Sequence, residues 1–159
     1  LLDTAELLES VEYPPATKKS TRNIYRVMPQ DLNEHERKFA ELLDTDTSGT
    51  IEYWFRNEPR KPWSIGIVLP NGDRYFPDFA IKVKDRTKGD GILLAEIKGN
   101  HILNGDDTLD KVTAEHRHYG VPLMLVLEDS GRFMTVAHNE KTGRNNLDQI
   151  FRVENMYGY

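Results

Sequence analysis

The sequence predicts an α/β (α+β) fold: one mixed central sheet flanked by helices. Three observations carry that reading. Segments 31–44 and 106–120 repeat their apolar residues with the helical period. Between them lie short runs rich in β-branched and aromatic residues, separated by turn residues. The run VPLMLVLE (121–128) is almost wholly apolar, as a central strand buried on both faces would be.

Residues 1–28 read as a peripheral arm or linker and residues 29–159 as the domain proper. Leu1–Val11 has a short amphipathic pattern, and PPATKKSTR pairs two prolines with few apolar side chains. In DLNEHERKFAELLD (31–44), Phe39, Leu42 and Leu43 share a helical face. Asn33 is placed as N-cap, and Glu36 three residues on completes a capping box. TDTSGT stops that helix. IEYWFRN (51–57) and WSIGIVL (63–69) read as strands around the turn EPRKP. Asn71–Gly72 signals a hairpin into RYFPDFAIKV (74–83). DRTKGDG then turns the chain into ILLAEIK (92–98). DDTLDKVTAEHRHYG (106–120) sets Leu109, Val112, His116 and Tyr119 on one face, capped by Asp106 or Asp107 and ended by Gly120. RFMTVAH (132–138) reads as a strand and NNLDQIFRV (145–153) as a last helix.

The chain's 159 residues suffice for one domain with a real core. No apolar run approaches the ~20 residues of a membrane-spanning helix, and no signal-peptide pattern opens the chain. Leu1 in place of Met fits a piece of a longer protein or a processed chain. The absence of cysteine removes disulfides, thiol nucleophiles and cysteine zinc sites, and fits a reducing, cytoplasmic setting. The net charge of -5 argues against strong autonomous binding to nucleic acid, whose affinity comes mostly from neutralised phosphates. Such a role needs a local basic patch or a partner that delivers the substrate.

Within the strand-like stretch from Arg74 to Gly99, three charges stand out: Asp78, Glu96 and Lys98. An antiparallel pair centred near Lys88 sets Asp78 opposite Lys98 and Ala80 opposite Glu96, all on one face. Asp78 and Glu96 are then diagonal neighbours, roughly 7–8 Å apart at the backbone. Phe79, Ile81, Val83, Leu93, Ala95 and Ile97 fall on the other face as core. A one-residue slip would part the charges. Two carboxylates with the Ile97 carbonyl suit a hard divalent cation such as Mg²⁺, leaving positions for water and a phosphate oxygen. Lys98 would orient or deprotonate water, or offset charge in the transition state. The plainer alternative is a cross-strand ion pair of Asp78 with Lys98 on a solvated face, worth ~0–1 kcal/mol.

FPDF followed by LLAEIKG resembles the catalytic signature of the PD-(D/E)XK nuclease superfamily at Pro77, Asp78, Glu96 and Lys98. The order NEHERKFAELLD, IEYWFRN, NGDRYFPDF, AEIKG, polar helix and apolar strand is similar to the C-terminal endonuclease domain of helicase-linked type III restriction subunits. That similarity covers residues 31–138. It implies a restriction-endonuclease-like core and Mg²⁺-dependent hydrolysis of DNA phosphodiesters, with Mn²⁺ substituting. By this resemblance Asp78 and Glu96 bind metal and Lys98 is the catalytic lysine. Glu36 is an added acid from the first helix, with Glu41 a weaker choice. No G-x-x-x-x-G-K-[ST] loop is present, so ATP would act only through a motor domain outside these residues. The implied partners are DNA, an upstream helicase/ATPase and a methyltransferase or recognition subunit.

Arg56, Arg60 and Lys61, between Trp54 and Trp63, suit a DNA backbone contact, or else a polar hairpin tip over two core tryptophans. Lys111 suits a phosphate near the site, or a plain surface position. Lys82, Lys84, Arg86 and Lys88 read as a solvated cluster. His116 and His118 point about 200° apart on a helix, which makes them poor joint ligands; His101 reads as a loop residue. Two other functions stay open: a catalytically inactive nuclease-like DNA-binding or protein-interaction module, and an unrelated binding domain whose charges merely pair.

Overall fold

The computed structural model describes residues 18–159. The amphipathic pattern at Leu1–Val11 lies outside the described residues. The elements are α1 (Glu34–Asp44), β1 (Ile51–Arg56), β2 (Ile67–Val68), β3 (Arg74–Tyr75), β4 (Phe79–Val83), β5 (Ile92–Lys98), α2 (Asp106–Val112), β6 (Leu123–Leu127), β7 (Phe133–Asn139) and β8 (Arg144–Ile150). Six strands form a mixed sheet in the order β1-β4-β5-β6-β7-β8. Only the β5–β6 pair is parallel, because α2 carries the chain across between them. β2 and β3 form a separate two-stranded ribbon. Among the described residues, no helix is long and apolar enough to cross a membrane.

Each face of the sheet has its own core. On one, Phe79, Ile81, Val83, Leu93, Ala95 and Ile97 pack with Trp54, Phe133 and Phe151 beneath Phe39 and Leu43 of α1. On the other, Phe55, Ala80, Ile92 and Leu94 pack with Ile65 and Tyr119. α1 carries the expected capping box: the Asn33 side chain accepts from the Glu36 N–H, and Glu36 accepts from the Asn33 N–H. Leu42, expected on the buried face of α1, is exposed.

Several elements differ from the sequence expectation. The run 74–83 is not one strand, since Pro77 cannot donate to a ladder and the chain breaks there into β3 and β4. WSIGIVL shrinks to β2, which pairs with β3 and not with β1. The second helix ends at Val112. Beyond it the His116 Nδ1 accepts from the N–H groups of His118 and Tyr119, closing a turn where helix was expected. Residues 145–153 are not a helix: the chain returns through Gly143 (φ 68°) and β8 pairs with β7. Buried Asn145 there donates to the Leu103 carbonyl and joins His138 at 2.8 Å, so its amide is satisfied in the strand.

The end of the segment assigned by composition to an arm, residues 18–28, is fastened to the domain. Met28 is buried in the α1-side core, and Asn23 bridges to Trp54. Asp44, at the end of α1, accepts from the Ser20 hydroxyl, the Thr21 and Arg22 N–H groups and the Trp54 indole. Burial raises the Asp44 pKa, but those donors outweigh it and hold the carboxyl below its ordinary value. A depressed acid stabilises the fold in full above its unfolded pKa and loses that effect as pH falls through the folded one. Asp44→Ala is therefore expected to cost about 2–4 kcal/mol at neutral pH, measured by urea unfolding. The gap to wild type should begin to narrow below about pH 4, the unfolded value, and keep shrinking as pH falls through the lower folded one.

Candidate active site

Asp78 is set in place from behind by Asn57, which follows β1 and is 1% exposed. The Asn57 amide donates to the carbonyls of Ile65 and Pro77, both at 2.8 Å, and accepts from the Ile65 N–H at 2.9 Å. Its backbone N–H donates to the Asp78 carbonyl at 2.9 Å. One side chain thus ties the end of β1, the approach to β2 and the Pro77–Asp78 break into a single corner.

β4 and β5 pair antiparallel, and the closing pair Lys82–Ile92 is centred on Thr87, not Lys88. The chain turns there through left-handed Gly89 and Asp90. The pairing therefore differs from the expected one by two residues, which preserves the faces. Its continuation sets Asp78 opposite Glu96, not opposite Lys98. Directly opposed residues lie about 4.5–5.5 Å apart, closer than the diagonal pair expected. Asp78 Oδ2 accepts from the Ile97 N–H at 2.9 Å, and its carboxyl hydrogen-bonds that of Glu96.

Glu96 is buried at 4% exposure. Burial pushes its carboxyl well above the ordinary range, and the charge and hydrogen bond of Asp78 push further; Lys98 and Lys111 pull it back. Lys98 Nζ lies 3.6 Å from both Glu96 Oε2 and Asp107 Oδ2. Lys111 Nζ lies 3.9 Å from Glu96 Oε2 and 2.9 Å from Asp107 Oδ2. α2 delivers both Asp107 and Lys111, four residues apart on one helical face. Glu36 is buried; burial first and then the charge of Asp78 raise its pKa. It thus caps α1 and also feels the charge of Asp78. Glu41 pairs with Lys18 instead.

The basic candidates separate. Lys111 is at the site. Arg56 is half-buried, ion-paired with Asp31, and its charge reaches Glu36. Arg60 and Lys61 line a different cleft of about 730 Å³ with Arg74, Val68 and Phe76. Trp54 is core, and Trp63 packs edge-on against Phe55. Arg86, expected in a solvated cluster, is buried, donating to the carbonyls of Lys88, Ile92 and Tyr159. His118 is exposed and meets Asp90 at 2.6 Å; His101 is exposed in the turn after β5.

Sequence reasoning missed Asn57, Asp107 and Tyr75. The sequence offers Asp106 or Asp107 as the helix cap, yet the N-cap is Gly105, without a side-chain cap, and Asp107 instead pairs with Lys111. Tyr75 packs with Ile67 and Leu69 under Ala114, and the Lys111 ammonium sits 5.0 Å from its ring centroid. Burial raises its phenol pKa, and so do the charges of Glu96, Asp78 and Asp107. Its parity with Ile67 and Leu69 across a tight hairpin was the available signal; Asn57 had none, because its partners are distant in sequence.

Among the described residues, no group of three or more His, Asp or Glu side chains is arranged to hold a metal ion. The two touching carboxyls are nonetheless hard oxygen donors, and Mg²⁺ often takes one or two such ligands while keeping several waters. Their chemistry fits that ion. Set against protein-family models, curated proteins and solved structures, the chain gives no match in any of the three. Asn57→Ala strands three buried backbone groups. It is expected to lower unfolding stability by about 2–4 kcal/mol in urea titrations, while the isosteric Asn57→Asp, lacking the two N–H donors, recovers little of that loss.

Proposed function

We propose that this chain is a metal-dependent DNA endonuclease domain of PD-(D/E)XK type, hydrolysing phosphodiester bonds. The observation that carries the reading is the pressing together of the Asp78 and Glu96 carboxyls under burial, with Lys98 beside them. Two acids so placed disfavour each other's ionised form, and a divalent cation favours it. Asp78, Glu96 and the Ile97 carbonyl would hold Mg²⁺, with Mn²⁺ as substitute. The ion supplies polarisation of a phosphoryl oxygen and a lowered pKa for water. The Lys98 ammonium orients the attacking water or offsets charge gathering on the phosphoryl oxygens. Glu36 adds negative field behind Asp78, and Asp107 restrains both lysines at the rim.

In this reading the domain belongs to a larger cytoplasmic restriction subunit of type III character. Its motor supplies DNA at high effective concentration, and a recognition or methyltransferase subunit chooses the site. The net charge of -5 suits a domain that needs little affinity of its own. The ion pairs that Lys98 and Lys111 make to Glu96 favour a second reading, an inactive nuclease-like binding module whose site neutralises itself. Calorimetric titration with Mn²⁺ separates the two, since the module binds DNA but no divalent ion.

Asp78→Asn, Glu96→Gln and Lys98→Ala are each expected to lower Mg²⁺-dependent nicking of plasmid DNA by ~10²–10⁴-fold. Glu96→Gln should melt no lower than wild type, because it removes a buried charge disfavoured beside Asp78. Normal nicking by all three variants would end the nuclease reading. Arg60, Lys61 and Arg74 give the cleft positive charge without a carboxylate in its lining. Replacing all three by glutamate should weaken DNA binding and flatten the plot of log affinity against log salt by roughly 2–3, with melting temperature unchanged.

A further inference from the structure

Tyr75 is 2% exposed, and its hydroxyl oxygen, with no accessible surface, has no hydrogen-bond partner in the protein. A buried donor left unpaired destabilises a fold, and phenylalanine would fill the same space without that cost. The acceptors around it are engaged elsewhere. Asp78 takes the Ile97 N–H and meets Glu96. Glu96 faces both lysines, and Asp107 holds Lys111. Lys111 covers the ring on the side of the site, 5.0 Å from its centroid, with its ammonium on a flexible stem. A tyrosine hydroxyl carries a proton to donate, and the Lys111 ammonium stands over its ring. That combination is complementary to an oxyanion: one neutral, buried donor with a cation beside it.

We propose that the Tyr75 hydroxyl donates a hydrogen bond to a non-bridging oxygen of the phosphoryl group taken by the Asp78–Glu96 site. Lys111 swings off the ring to pair with the same group. This rests on the nuclease reading for the identity of the phosphoryl group. It adds a substrate-contacting residue that the resemblance does not supply, and it explains a hydroxyl that packing does not need.

The test is Tyr75→Phe in the full chain, read in two ways that a structural role moves together and a functional role moves apart. The variant is expected to melt roughly 2–6 °C higher than wild type and to nick plasmid roughly 10–100-fold more slowly in Mg²⁺. A lower melting temperature would show that the hydroxyl serves the fold, and undiminished nicking would show that it does not touch the phosphate; either overturns the proposal. If wild type does not nick at all, the nuclease reading fails by itself. Tyr75 is then judged by calorimetry with inorganic phosphate in the presence of Ca²⁺. Binding about tenfold weaker in Tyr75→Phe supports the contact. Equal binding, or none by wild type, overturns it.

Discussion

The arrangement around β5 follows from one constraint: a carboxyl at position 96 is almost wholly removed from water and placed against a second one. Neither burial nor a like neighbour favours an ionised glutamate. The fold answers with Lys98 from the same strand and Lys111 from α2, and with the Ile97 N–H that engages the Asp78 oxygen. Replacing such a cluster by apolar side chains is often neutral or stabilising. It stands on a strand that otherwise reads Ile92, Leu93, Leu94 and Ala95, where packing alone would favour apolar side chains.

Holding two carboxyls together needs a rigid frame, and that frame is made of backbone tied to backbone by a few polar side chains. Asn57 fixes the corner at Pro77–Asp78, and the β4–β5 ladder fixes Glu96 across from it. α1 covers the opposite face of the same strands and brings the capped Glu36 toward Asp78. The parallel β5–β6 pair sends the chain out through α2, and this crossover alone carries Lys111 and Asp107 over the site. The ribbon β2–β3 closes the remaining side, with Tyr75 inward and Arg74 lining the cleft beyond. Each wall comes from a different stretch of chain, so each can be tested separately.

Much of this was legible beforehand where the signal is local. The capping box at Asn33–Glu36, the hairpin at Asn71–Gly72 and the alternation along β4 and β5 depend on residues a few positions apart, and each is present. The pairing of β4 with β5 was misjudged by two residues, because left-handed Gly89 and Asp90 shape the turn and composition does not reveal which residues take that conformation. Residues 145–153 have apolar spacing that suits a helix, yet the turn through Gly143 and the burial of Asn145 draw them as far as Ile150 into a strand. The helix after β5 stops at Val112 although His116 and Tyr119 keep its period, because the His116 side chain closes a turn instead.

By itself, then, the sequence determined the fold class, the strand faces and the trio Asp78, Glu96 and Lys98, because parity along a strand survives an even change of register. Only the tertiary structure decided that Asp78 meets Glu96 and not Lys98, that Lys111 and Asp107 join them, and that the Tyr75 hydroxyl lies buried without a partner. Those facts depend on contacts between residues far apart in the chain, where neither period nor composition reaches.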